Sequence, residues 1–240
     1  MRNSFSLASF LFLGLLTFIS CVQMDGGGEE AVGSYDKTTL DIDDFSELSL
    51  SLDAVVHVRQ GSPQSVEIEA KESVIENITR DVRGDRWSIG FEKNMRNTGD
   101  IKIWITVPEL EEINVSGSGK IIGKNSLTAS DELKLAISGS GSMQLDLTTE
   151  RLSCVVTGSG RMSISGRTDE QRVNISGSGD VEGYDLEAKD CIVRITGSGS
   201  SEVNVSDDLE ANITGSGDVN YKGDPRIKSR IVGSGDIRSH

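Results

Sequence analysis

Aliphatic and polar residues alternate through most of this chain, and one tripeptide cuts the alternation at nearly even intervals. Gly-Ser-Gly begins at Gly117, Gly139, Gly158, Gly177, Gly197, Gly215 and Gly233, in steps of 22, 19, 19, 20, 18 and 18 residues. Two residues before each first glycine stands an aliphatic side chain: Val115, Ile137, Val156, Ile175, Ile195, Ile213 and Ile231. Four before it come Ile113, Leu135, Cys154, Val173, Val193, Ala211 and Ser229, and the residues in between are polar or mixed. A period of two makes each run a short strand with one buried face. The alternation resumes after the tripeptide, at Met143, Leu145 and Leu147 or at Met162 and Ile164. Each repeat therefore predicts strand, Gly-Ser-Gly corner, strand and a loose loop.

A period near twenty with one fixed turn per repeat is the signature of a solenoid. Equivalent strands one repeat apart can pair only in parallel, because the connection returns the chain to the same starting side. Stacked rungs then lie ~4.8 Å apart, with the aliphatic positions as a continuous inner column. The predicted fold is an all-β, parallel solenoid with about 18–22 residues per coil. The glycines are expected to be structural turns, needed where φ is positive or backbones approach closely: Gly117 and Gly119, Gly139 and Gly141, Gly158 and Gly160, Gly177 and Gly179, Gly197 and Gly199, Gly215 and Gly217, Gly233 and Gly235. The residue before the tripeptide is a small hydroxyl in six copies (Ser116, Ser138, Thr157, Ser176, Thr196, Thr214), and these are expected to hydrogen-bond along a column.

Before the first tripeptide, Leu48, Leu50 and Leu52, then Val56 and Val58, then Val66 and Ile68, alternate around a turn at Gly61-Ser62-Pro63. Glu72 to Val82 reads as a short helix, Trp87, Ile89 and Phe91 as a strand, and Ile101, Ile103, Ile105 and Val107 as the cleanest alternation of all. This half reads as wider opening coils that cap the solenoid. At the far end the last copy places Ser229 and Val232 at pattern positions and carries Lys228, Arg230 and Arg238. Charges on an open rung discourage edge pairing, although association through that edge is left open.

The N-terminus reads as an export signal. Arg2 is its only charge, Phe10 to Ile19 is apolar, and Phe18-Ile19-Ser20-Cys21 follows. A small residue directly before Cys resembles the lipobox of bacterial lipoproteins, with Phe18 where Leu is commoner, and implies lipidation at Cys21. The expected organisation is a signal peptide over 1–20 and a Gly-rich acidic tether over 21–38. One solenoid domain follows over 39–240, with capping coils at 39–112 and repeat coils at 113–240. Acidic residues soon after the cysteine resemble the surface-export signals of Bacteroidetes lipoproteins, and so point to an outer-membrane, surface-exposed address.

Charge narrows the partners. With 24 Lys+Arg against 38 Asp+Glu the net charge is −14, which argues against nucleic acid and against unaided binding to anionic membranes. Membrane attachment is expected through the lipid anchor alone.

The lipoprotein start, the run ending Val107-Pro108-Glu109-Leu110, and the Val115-Ser116-Gly117-Ser118-Gly119 that follows resemble one family. It is the putative auto-transporter adhesin, head GIN domain family, a domain of unknown function, and the resemblance spans roughly Phe45 to Ile237. It implies a right-handed parallel β-helix on exported proteins, with adhesion to an extracellular glycan or protein as the role and no catalytic residues to carry over.

Candidate chemistry is sparse, and no cofactor, metal site or catalytic set is expected. Calcium-binding repeats need Asp two places after the last glycine. Here Asp180, Asp218 and Asp236 follow it directly, while Lys120 and Arg161 hold that place in other copies. The alternative is a polysaccharide-degrading enzyme using paired carboxylates, because Asp218 and Asp236 on adjacent coils would lie ~5 Å apart. His57 and His240 form no plausible triad. Cys154 and Cys191 fall two coils apart, ~10 Å, beyond the ~7 Å a disulfide tolerates, and are expected to be buried thiols.

Overall fold

Between successive tripeptides the chain runs as one extended segment: Ser142–Gly158, Arg161–Gly177, Asp180–Gly197 and Ser200–Gly215. The computed structural model describes residues 28–240, so residues 1–20 and Cys21 lie outside the described residues. Alternation buries Met143, Leu145 and Leu147 on the way out and Leu152, Cys154 and Val156 on the way back. Each segment pairs in parallel with the next, and the first glycines stack in register from Gly117 through Gly139, Gly158, Gly177, Gly197 and Gly215 to Gly233.

The loose loop expected in each repeat is absent from these four coils, where pairing continues round the second corner. Small side chains line the inside of that bend, with Ala129, Thr149, Thr168 and Ala188 in register. Thr149 and Thr168 turn inward, where a hydroxyl would be costly unless bonded. Thr149 Oγ1 lies 3.1 Å from the Asp131 carbonyl oxygen and 3.2 Å from that of Arg151. Thr168 Oγ1 stands 3.2 Å and 3.1 Å from the Glu150 and Glu170 carbonyls. In two of the four coils the corner is thus tied by a hydroxyl satisfied on main chain.

At the start of the stack, spatial order departs from chain order. On the sheet that precedes the turn, Arg86–Ile89 is followed by Glu47–Leu50 and then Glu112–Gly117, all parallel. On the other sheet the order is Lys102–Val107, Val55–Gln60, Lys120–Gly123. The coil 47–60 is therefore sandwiched between the coil 86–107 and the coil 112–123. The chain leaves it through Ser65–Lys71, which runs antiparallel to Lys102–Val107 and carries Tyr35–Leu40 antiparallel on its other edge. The tether expected over 21–38 is therefore too long: Glu29–Glu30 pairs with Met95–Arg96, Ala31 is buried, and Tyr35 already belongs to the sheet, because main-chain pairing overrides the polar local composition.

Helix Glu72–Asn77 turns the chain back and buries Val74 and Ile75. It stops well short of Val82. Ile78 is already extended and bridges Phe91, while Val82 pairs with Trp87. Trp87 is fully buried, donates Nε1–H to the Thr79 carbonyl at 3.1 Å, and packs 5.4 Å from the Phe45 ring. Wide rings thus close the end of a core that is otherwise mostly Val, Ile and Leu.

The whole is a nearly all-β solenoid of about seven turns. Its last rung, Arg226–Gly233, has nothing stacked beyond it among the described residues. Ile227 and Ile231 are 44% and 40% exposed there, although Leu209 and Ile213 one rung below are buried. No helix of the described residues is long and apolar enough to cross a membrane.

Candidate functional site

The geometry of the turn determines what the surface presents. Gly139 has φ of +120°, and a Cβ there would stand 2.6 Å from the Gly117 carbonyl oxygen of the preceding coil. A side chain is excluded twice over, by backbone conformation and by contact. The middle serine carries the ladder round the corner with its main chain: Ser140 N–H donates to Gly117 O at 2.8 Å, Ser159 to Gly139 O at 2.9 Å, Ser178 to Gly158 O at 2.8 Å. The hydroxyls do not take part. Ser116, Ser138, Thr157, Ser176, Thr196 and Thr214, like the middle serines, are exposed and make no side-chain hydrogen bond to the described residues. The expected hydroxyl ladder is instead two open rails along the corner, because the backbone supplies the inter-coil bonds.

The aspartates after the tripeptide are engaged locally. Asp180 accepts from Ser200 Oγ at 2.7 Å and pairs with Arg161 at 3.2 Å. Asp218 accepts from the Asp236 main-chain N–H at 3.0 Å, and Arg238 reaches both carboxylates, Asp236 at 3.1 Å and Asp218 at 3.8 Å. Among the described residues no three His, Cys, Asp or Glu side chains are grouped to hold a metal ion.

Cys154 and Cys191 are free and buried. Cys154 pairs with Val173, and Cys191 with Gln171, so they occupy different inner columns two coils apart. Burial pushes the Cys154 thiol up to about 12. Burial, and then the neighbouring Cys154, pushes Cys191 up as well. Gln171 was missed by the pattern: it is 1% exposed and its Nε2 has no partner. Gly183 lies beside it: a Cβ there would stand 2.8 Å from the Glu202 carbonyl oxygen and 3.7 Å from that nitrogen.

The sheet that follows the turn presents a long flat face whose two ends differ. Toward the C-terminal coils lies a shallow groove of about 390 Å³ whose lining includes Asp146, Glu182, Tyr184, Asp185 and Glu202. Tyr184 and Asp185, where the register shifts between Gly183 and Glu187, form part of its wall, while Leu186 turns into the core. Tyr184 there stacks on His240 at 4.8 Å, with Lys222 Nζ 4.5 Å over its ring. Burial, then Glu202, raises its hydroxyl pKa.

Toward the N-terminal coils the same face carries Lys102, Trp104, His57, Arg59, Lys120 and Lys124. Burial lowers the His57 pKa, with Lys124 and then Lys102 adding to the effect. No sequence window contains this group, because three separate segments build it.

Comparison with known proteins agrees with this architecture. The family described as putative auto-transporter adhesin, head GIN domain, matches residues 44–225. No curated protein matches significantly. A putative adhesin from Bacteroides fragilis superposes with a TM-score of 0.81 at 23% identity, covering 89% of this chain and 100% of its own. A putative adhesin from Parabacteroides distasonis gives 0.74 at 22% identity, covering 89% and 100%. A protein of that organism named a putative lipid binding protein gives 0.67 at 23% identity, again covering 89% and 100%. At these identities the likeness establishes the fold.

Proposed function

This chain belongs to the putative auto-transporter adhesin, head GIN domain family, and we propose that it is a cell-surface binding module that holds an extended ligand and does not turn it over. The observation that carries this reading is the unbroken parallel stack from Arg86–Ile89 to Arg226–Gly233. It repeats outward side chains every ~4.8 Å along faces that are long rather than deep. Such a surface meets a polymer over many weak contacts. The Asp218 and Asp236 carboxylates, the pair on which an enzyme reading would rest, both contact Arg238.

Lipid attachment at Cys21 would hold the module at an outer membrane with its faces toward the medium. Cys21→Ala should release the protein or leave its precursor unprocessed, and unchanged fractionation would count against the anchor. Cells with and without the chain, perfused over surfaces coated with polysaccharide or matrix protein, test the role itself. Retention that depends on the chain, with no cleaved ligand in the effluent, supports it; equal retention contradicts it.

A second reading, self-association through the last rung, is favoured by Ile227, Ile231 and Val232, which are 44%, 40% and 54% exposed. Sedimentation should then depend on concentration in the wild type and lose that dependence in Ile231→Lys.

A further inference from the structure

Nine outward positions near the N-terminal end of the face after the turn form a grid of three coils by three columns. Parallel register places Lys102, Val55 and Lys120 in one column, with Trp104, His57 and Ile122 in the next. Thr106 and Arg59 are partners in the third. Lys124, whose N–H donates to the Val58 carbonyl at 2.8 Å, completes it on the third coil. With rungs ~4.8 Å apart and alternate residues ~6.6 Å apart, the grid measures roughly 10 by 13 Å.

Its composition is opposite to that of the chain. Four of the nine side chains are cationic and none is acidic, in a protein with 38 acids against 24 bases. Lys102 shares its charge with Glu69 at 3.3 Å, but Arg59, Lys120 and Lys124 have no ion-pair partner among the described residues. Between the cationic columns runs an apolar strip, in which the Trp104 and His57 rings lie 5.7 Å apart and His57 Nδ1 lacks a hydrogen-bond partner. Lys37 Nζ stands 4.4 Å from the Trp104 ring centroid and pairs with Glu67 at 2.9 Å, so that margin of the grid is neutral.

We infer that this grid is a binding site for an acidic glycan, a polymer bearing uronate carboxylates or sulfates. The inference rests on the adhesin reading and gives it a ligand class and a place. Pyranose rings present flat C–H faces that pack on an apolar or aromatic strip, and their anionic substituents project to the sides. The grid offers that complement, a central strip flanked by unpaired ammonium and guanidinium groups. Its size suits a few sugar units. A duplex nucleic acid or an anionic bilayer would extend past the grid onto the acidic coils that follow, where Asp146, Glu182 and Glu202 repel it.

The test is equilibrium binding of the full chain to polygalacturonate, heparin, dextran, gelatin, duplex DNA and phosphatidylglycerol vesicles. Lys120→Glu/Lys124→Glu reverses the patch, Lys120→Gln/Lys124→Gln only neutralises it, and Trp104→Ala removes the strip. At least one acidic glycan should bind tenfold or more tightly than dextran. Charge reversal should weaken that binding about tenfold, with neutralisation and Trp104→Ala causing smaller losses, while thermal melting of the lysine variants stays at the wild-type value. Acidic-glycan binding indifferent to both lysine variants would overturn the inference, as would tighter binding to DNA or vesicles. Dextran or gelatin binding that charge reversal leaves intact would overturn the site while the adhesin reading stands. Retention of nothing would count against both.

Discussion

Gly141 packs directly on Val115 of the coil before it: a Cβ at Gly141 would stand 2.5 Å from Val115 Cγ1 and 2.7 Å from the Gly119 carbonyl oxygen. One obstacle is a branched side chain in the buried column and the other is main chain, so neither has room to retreat. Gly141→Ala should therefore destabilise the protein by about 1–3 kcal/mol through overpacking, read as a fall in the urea midpoint.

The first glycines of the turn separate strain from contact. Gly117 has φ of +104° with nothing within 4 Å of an added Cβ, whereas Gly139, at +120°, would meet Gly117 O at 2.6 Å. Gly117→Ala should lose about 1–3 kcal/mol from backbone strain alone. Gly139→Ala should lose more by ~1 kcal/mol or above. Equal losses in denaturant melts would show that stacking contact adds nothing.

Gln171 sits in an inner column otherwise filled by Leu133, Leu152, Cys191 and Leu209, with an unpartnered Nε2. Its Oε1 lies 3.6 Å from the Cys191 sulfur, a weak contact. Replacing a poorly satisfied buried amide by an apolar side chain of similar size removes a desolvation penalty. Gln171→Leu should raise stability by about 1 kcal/mol. A loss of that size would mean the amide is satisfied in solution.

The two thiols make stability fall at high pH. Both have an ordinary value of 9.0 and are raised in the folded protein, Cys154 to about 12. The unfolded chain therefore loses these protons first, and the contribution, fully present below pH 9, is lost progressively as pH climbs from about 9 toward 12. A Cys154→Val/Cys191→Val variant should show a flatter decline than wild type across that window. In the native state at pH 7 neither thiol should react with a maleimide, and both should react on unfolding.

Period and inward face were legible because the residues at minus two and minus four from the first six tripeptides are all buried, as Val173 and Ile175 are. Alternation says which way a side chain points but not which strand lies beside it. Nothing in Leu48 or Leu50 tells that Glu47–Leu50 has Arg86–Ile89 on one side and Glu112–Gly117 on the other. The basic grid stayed hidden for the same reason, since Lys102 and Lys120 share a column only because Val55 comes between them. The second corner is continuous because its main chain pairs coil to coil, with Thr149 and Thr168 bonding carbonyls of the preceding coil, a long-range outcome that local composition read as a loop.

Binding without turnover is tested most directly by an array of glycans and host-matrix proteins probed with the full chain, each retained ligand then being scanned for cleavage. Selective retention with every ligand recovered intact is the expected result. Shortened glycan chains after incubation would contradict it and turn attention to the carboxylates around Asp218 and Asp236.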